Sequence, residues 1–203
     1  MNVHPGNATA TTWAGAGTTF ARMDATPPSP TPANGAGTDF SRLIAELEQQ
    51  EARLVFRRFD NDTALRLGAH LVDAARQQRL PVVVSVRRNG QRLFHAALAG
   101  TSADNDAWID RKSAVVDRYG HSSYLVGTRF RAGGSDFDAS SRLDLDRFAA
   151  HGGVFPVIVQ GVGTIGTVGV SGLPQAQDHA FVVEQLEVFL RQDGQQMSAG
   201  PQA

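Results

Sequence analysis

Cysteine is missing altogether from the 203 residues. That excludes disulfide staples, thiolate zinc sites, cysteine-held iron–sulfur clusters and a cysteine nucleophile. No stretch reaches the roughly 18 consecutive apolar residues that a membrane-crossing helix needs. Met1 to Phe20 has neither a basic start nor a continuous apolar run, which argues against a secretory leader. An excess of charge of either sign is missing too: 19 basic against 20 acidic side chains leave a formal net charge of −1. Proteins that track a phosphate backbone are usually clearly basic, so no nucleic-acid partner is expected. These absences together describe a soluble, cytoplasmic protein with no membrane or nucleic-acid partner.

What is present divides into three parts. Residues 1–38 are rich in Ala, Thr, Gly and Pro and include the run Thr26-Pro-Pro-Ser-Pro-Thr-Pro32. Such a segment buries too little apolar surface to offset its ordering entropy and reads as a disordered tail. Residues 194–203 read the same way. The segment 39–193 reads as one α/β domain, long enough to bury a core without staples.

The domain pattern is helix, strand, helix, hairpin, helices, hairpin, helix. Phe40, Leu43, Ile44 and Leu47 follow helical spacing over about Asp39–Gln50. Glu51–Phe59 is a candidate strand. Asn61 or Asp62 caps a second helix ending near Arg79, with Leu65, Gly68, Leu71, Val72 and Ala75 as its buried stripe. Pro81–Ala97 forms a hairpin around Asn89-Gly90, a pair suited to a type I′ turn because both positions need positive φ. A tight register pairs Val86 with Leu93, Val84 with His95 and Val82 with Ala97, which sets His95 in an apolar face. A third helix spans about Ser102–Tyr119, and Lys112 shares its apolar side with Trp108, Ile109, Val115 and Val116. Short helices follow at Ser122 and over Ser140–Ala150. Val154–Ser171 is a second hairpin turning at Gly161-Val-Gly163, and Gln175–Gln192 is the last helix. One strand and two hairpins make a mostly antiparallel five-stranded sheet with helices on both faces.

The most distinctive stretches are His151-Gly-Gly-Val-Phe-Pro-Val-Ile-Val159, Gly163-Thr-Ile-Gly-Thr-Val-Gly-Val-Ser-Gly-Leu-Pro174 and Asp178-His179. With Gly100-Thr-Ser-Ala-Asp-Asn-Asp-Ala-Trp108, Ile109-Asp-Arg-Lys112 and Ser122-Ser123, they resemble the haem-degrading domain family. That family includes HbpS-like and GlcG-like proteins and the C-terminal domain of some cobalamin adenosyltransferases. The likeness is stronger to an uncharacterised branch of it and covers about residues 42–191. The resemblance implies a profilin-like three-layer α/β sandwich, a homo-oligomer, and haem or another small ligand as cargo.

Candidate ligand-binding residues gather at helix starts and strand ends, where backbone donors are unsatisfied. Each has a plainer alternative. Arg111 and Lys112 would clamp an anion such as a haem propionate with Trp108 as an apolar wall, or they form ion pairs within the protein. Ser171-Gly172 would seat an anion at the start of the last helix, or they form a tight turn with Asp178 offsetting the helix dipole. Ser122 and Ser123 contact a ligand or cap a helix. His151, before two glycines, reaches a pocket or lies in a loop. His179 is oriented by its neighbour Asp178 or sits at the surface of a helix start. No metal site is expected, since His70, His95, His121, His151 and His179 match no ligand spacing. No nucleophile elbow is present, and strand rather than helix follows Gly161-x-Gly163-x-x-Gly166, which sets aside a dinucleotide loop. The sequence therefore points first to an oligomeric binding protein for a small, anionic ligand. An enzyme or accessory of haem or cofactor metabolism and an interaction scaffold remain as alternatives.

Overall fold

The computed structural model describes residues 36–198; the expected N-terminal tail lies almost wholly outside the described residues, as do residues 199–203. The elements run α1 (Ala36–Arg53), β1 (Val55–Phe56), α2 (Asn61–Gln77), β2 (Val83–Arg88), β3 (Gln91–Ala97), α3 (Ala103–Tyr119), α4 (Ser123–Ala132), α5 (Phe137–Ser140), β4 (Val154–Val159), β5 (Gly163–Ser171) and α6 (Gln175–Ser198). The five strands form one sheet in the order β1-β4-β5-β2-β3. Only β1–β4 is parallel; the other three pairings are antiparallel.

Alternation along the strands sorts the two faces. Val82, Val84 and Val86, Phe155 and Val157, and Val168 and Val170 pack against Leu67, Leu71 and Ala75 of α2 and Val182, Leu186 and Phe189 of α6. On the other face Val83 and Val154 meet Ile109 and Val116 of α3. Ser85, Thr167, Gly169 and Ser171 alternate with the first set of valines, so small side chains line the α3 side and let that helix approach closely. A Cβ on Gly169 would stand 2.4 Å from the Gly153 carbonyl, so bulk is excluded there.

Several expectations need correction. The strand expected over Glu51–Phe59 shrinks to Val55–Phe56, because α1 runs on to Arg53. Leu65 is 57% exposed. The phase of Gly68, Leu71 and Ala75 carried back along α2 falls on Ala64 and Leu67, and these are buried in its place. Asp60 rather than Asn61 or Asp62 caps that helix, accepting from the Thr63 N–H at 2.8 Å.

At the first hairpin Asn89 (φ 47°) and Gly90 (φ 80°) take the left-handed conformation their turn requires. Beyond it a bulge at Leu93 shifts the register by one, pairing Val86 with Phe94 and Ser85 with His95. His95 therefore lies on the α3 face, where its Nε2 stands 3.0 Å from Asp106, and not in an apolar layer.

No helix spans Ser140–Ala150. Arg142 sits at φ 55°, and the Asp144 carboxylate accepts from the Asp146 N–H, a local turn that competes with helix. At the other end α6 continues to Ser198, past the expected boundary at Gly194.

Candidate functional site

α3 builds one wall of a cleft. Its N-terminus is fixed by Asn105, whose Oδ1 accepts from the Ser102 N–H at 2.8 Å. Asp104, Trp108 and Lys112 follow at intervals of one turn and share a side of the helix. The Trp108 indole N–H donates to Asp104 at 3.1 Å. The Arg111 guanidinium lies over the indole, 4.1 Å from the ring centroid, and donates to the Ala107 and Leu145 carbonyls. His151 meets the same ring edge-on at 5.1 Å.

Lys112 is 3% exposed. Its Nζ donates to Gly152 O at 3.0 Å, Val170 O at 3.1 Å and Asp178 Oδ2 at 3.0 Å, which uses all three ammonium donors. Gly153 makes this possible. It sits at φ 123°, and a Cβ there would come within 2.6 Å of Nζ. The other Asp178 oxygen accepts from the Leu173 N–H at 3.0 Å. Burial pushes the ammonium below its ordinary pKa and the carboxyl above its own, and each is pulled back by its partner's charge. The chain thus supplies its own anion at the Ser171–Pro174 turn, and the ligand-clamp reading of Lys112 gives way to an internal ion pair.

Trp108, Lys112, His151, Ser171, Gly172 and Asp178, all singled out in the sequence, line one cavity of about 250 Å³. Asp104, Asn105, Gly152, Leu173 and Gln175, which the sequence reading missed, complete it. Arg111 stands behind the indole. Ser122, Ser123 and His179 lie elsewhere. The Ser122 hydroxyl accepts from the Leu125 N–H and caps α4. The Ser123 hydroxyl, fully buried, donates to Val154 O and accepts from Val154 N–H, both at 3.2 Å. His179 is 4% exposed, bonded through Nε2 to Gln50 Oε1 at 2.8 Å and packed by Tyr124 and Phe155; it is a core residue and not a surface one. Burial pushes its pKa down to about 4.

His121, Ser122 and Glu51 sit together without forming a hydrolytic set. Glu51 binds the His121 ring at 2.6 Å and the Ser122 amide at 2.7 Å, while the hydroxyl is buried and committed to its cap. Among the described residues no group of three or more His, Cys, Asp or Glu is placed to hold a metal ion. A wider surface groove along Arg53, Leu54, Glu187, Leu190 and Arg191 gathers no buried polar group.

The lining of this cleft is a poor match for a haem. Burial pushes the His151 pKa down, so its ring is uncharged at neutral pH, as an axial ligand must be. The other requirements are not met. About 250 Å³ falls short of the roughly 300–1,000 Å³ of ordinary small-molecule pockets. The lysine expected to hold a propionate is neutralised, and the Asp104 carboxylate lines the cleft.

Comparison with known proteins extends this picture. A UPF0303 protein of Streptomyces coelicolor is 63% identical over 147 residues, which is 72% of this chain and 93% of the relative. A UPF0303 protein of Azotobacter vinelandii is 42% identical, over 73% and 90% of the two chains. Among solved structures the Ybr137w protein superimposes with a TM-score of 0.69 at 28% identity, covering 76% of this chain and 95% of that one. A PduOC:heme complex shares the fold with a TM-score of 0.55 at 18% identity, covering 64% and 94%. A family model described as "Haem degrading protein HbpS-like" matches residues 59–187. With that match over most of the chain, and relatives of this identity, the protein belongs to the HbpS-like haem-degrading family and, within it, resembles the UPF0303 proteins.

Proposed function

We propose that this protein binds a small ligand in the cleft between the start of α3 and the β5–α6 turn, and that it works as a homo-oligomer. One observation carries the reading. An indole wall, a half-buried neutral imidazole, a buried serine and a buried ion pair converge on one cavity from four separate segments. Buried ion pairs stabilise a fold poorly compared with apolar packing, so this one is better understood as holding the cleft floor in one geometry. Family membership supports ligand binding, and a haem complex is known for a structural neighbour. Self-association rests on the family resemblance alone, since the exposed apolar side chains Leu65, Leu145 and Val162 stand on separate elements.

The test is a thermal-shift screen of small molecules grouped by charge, with each hit repeated on Trp108→Ala. Hits that stabilise the wild type and not the variant support the cleft; hits indifferent to the substitution defeat it. A haemin titration followed at the Soret band accompanies the screen. The expected result is no shift that depends on the cleft. A Soret shift abolished by His151→Ala would return haem to this site. Light scattering that gives a monomer mass across micromolar concentrations would refute the oligomer.

A further inference from the structure

We infer that the cleft selects an uncharged, flat ligand carrying a carbonyl oxygen beside an N–H, an amide in chemical class, over a carboxylate of the same shape. This rests on the ligand-binding reading above and goes against the anionic ligand expected from the sequence.

The charge balance is the first argument. The one lysine on the cleft has its three donors taken by Gly152, Val170 and Asp178, so no ammonium proton is left for a ligand. Once Lys112 and Asp178 cancel, Asp104 leaves the lining with a single negative charge. Arg111 is not part of the lining: its guanidinium lies over the indole and donates to main-chain carbonyls, so its charge reaches the cleft only from behind the ring. An incoming carboxylate would meet the Asp104 carboxylate with no cation in the lining to pair with.

The donor inventory is the second. Asn105 spends its carbonyl oxygen on the Ser102 N–H, and Gln175 spends its own on the Gly152 N–H. Each amide therefore keeps its NH₂ for the cleft. Ser171 is 4% exposed and lines the cavity, and its hydroxyl bonds to no described residue. Asn105 and Gln175 stand in the first turns of α3 and α6, where helix dipoles favour the negative end of a carbonyl. Three neutral donors thus face a ligand acceptor. The matching acceptor is Asp104, whose Oδ2 takes the indole N–H and whose Oδ1 is left for a ligand N–H. The flat Trp108 ring supplies the stacking wall.

Benzamide, benzoate and benzamidinium share one shape and differ in charge, which makes them the probes. Binding is read from the indole N–H resonance of Trp108 in a Trp13→Phe background, which leaves Trp108 as the one tryptophan. Benzamide is expected to shift that resonance, with benzoate at least about fivefold weaker, the effect of one like charge at close range in water. Asp104→Asn should narrow the gap by strengthening benzoate, and Ser171→Ala should weaken benzamide by about fivefold, the loss of one hydrogen bond. Benzoate or benzamidinium binding as tightly as benzamide, or a gap unchanged in Asp104→Asn, overturns the inference and leaves the cleft standing. If no probe moves the Trp108 resonance at millimolar concentration, the cleft reading falls and the inference with it.

Discussion

Replacing Lys112 by methionine separates an internal ion pair from a ligand clamp. The substitution keeps most of the apolar stem and removes the charge. It leaves the Asp178 carboxylate, 2% exposed, with its bond to Leu173 but no cation, and it strips a donor from Gly152 O and Val170 O. Stranding one member of a buried pair costs about 3–5 kcal/mol. In a domain of this size each kcal/mol moves the melting temperature by roughly 2–4 °C, so Lys112→Met should melt about 6–20 °C below wild type.

The loss should depend on pH in a definite direction. Without the ammonium, burial is the largest influence on Asp178 and holds its carboxyl above the unfolded value, opposed only by the main-chain hydrogen bonds of Gly172 and Leu173. The native state of the variant then binds the proton more readily than the unfolded chain does, so its stability falls as pH rises through that raised pKa and recovers in acid. Adding Asp178→Leu should restore most of the loss at neutral pH. Calorimetry on the two variants from pH 4 to pH 8 decides the matter. A single variant melting within about 2 °C of wild type at pH 7 would refute the argument that this pair is internally committed.

His179 should make the fold sensitive to acid. Its folded pKa of about 4 lies below the ordinary value of 6.5, so the unfolded chain takes up the proton first, and about 3 kcal/mol of stability should be lost between pH 6.5 and pH 4. Urea melts across that range should show a flatter dependence in His179→Leu, and an unchanged slope would count against the assignment. Ser123→Ala removes two hydrogen bonds to Val154 at a fully buried position and should cost about 1–3 kcal/mol while leaving benzamide binding intact; lost binding in a stable variant would return Ser123 to the ligand site. Gly153→Ala forces a Cβ to within 2.6 Å of both Lys112 Nζ and the Val170 carbonyl at a positive φ, and should cost about 3 kcal/mol or more, readable as a lower melting temperature.

The parts of this molecule that were legible in the sequence are those with a short-range physical cause. Asn89-Gly90 announces its hairpin because few other pairs accept two positive φ angles. Lys112 stands out because an ammonium on an apolar helical stripe requires partners. The partners themselves were not legible: Asp178 lies 66 residues away, and two of the acceptors are main-chain carbonyls with no side-chain signature. The bulge at Leu93 has no marker in composition, and one residue of slip carried His95 to the opposite face. Asp104 and Asn105 could have been found. The Ser102-x-x-Asn105 spacing marks a helix start, and Asp104, Trp108 and Lys112 recur at i, i+4 and i+8. His179 was read either as oriented by Asp178 or as a surface residue at a helix start; its actual partner, Gln50, lies 129 residues away and leaves no local signal.

The two-residue strand β1 has a consequence for how the chain assembles. Both hairpins close through short turns, but Val55 must find Ile158 about a hundred residues away. Closing a loop of that length costs on the order of 4 kcal/mol in chain entropy, more than the few ladder bonds of so short a strand return. Its docking therefore waits until β4 and β5 have paired and the pocket for Leu54, Phe56 and Phe59 exists. The expectation is that the rate-limiting barrier to folding is crossed with β1 still loose. Phe56→Ala should accelerate unfolding and leave the refolding arm of the chevron almost where it was, so the kinetic lifetime of the folded protein is governed at this parallel edge, far along the chain from the hairpins that start it.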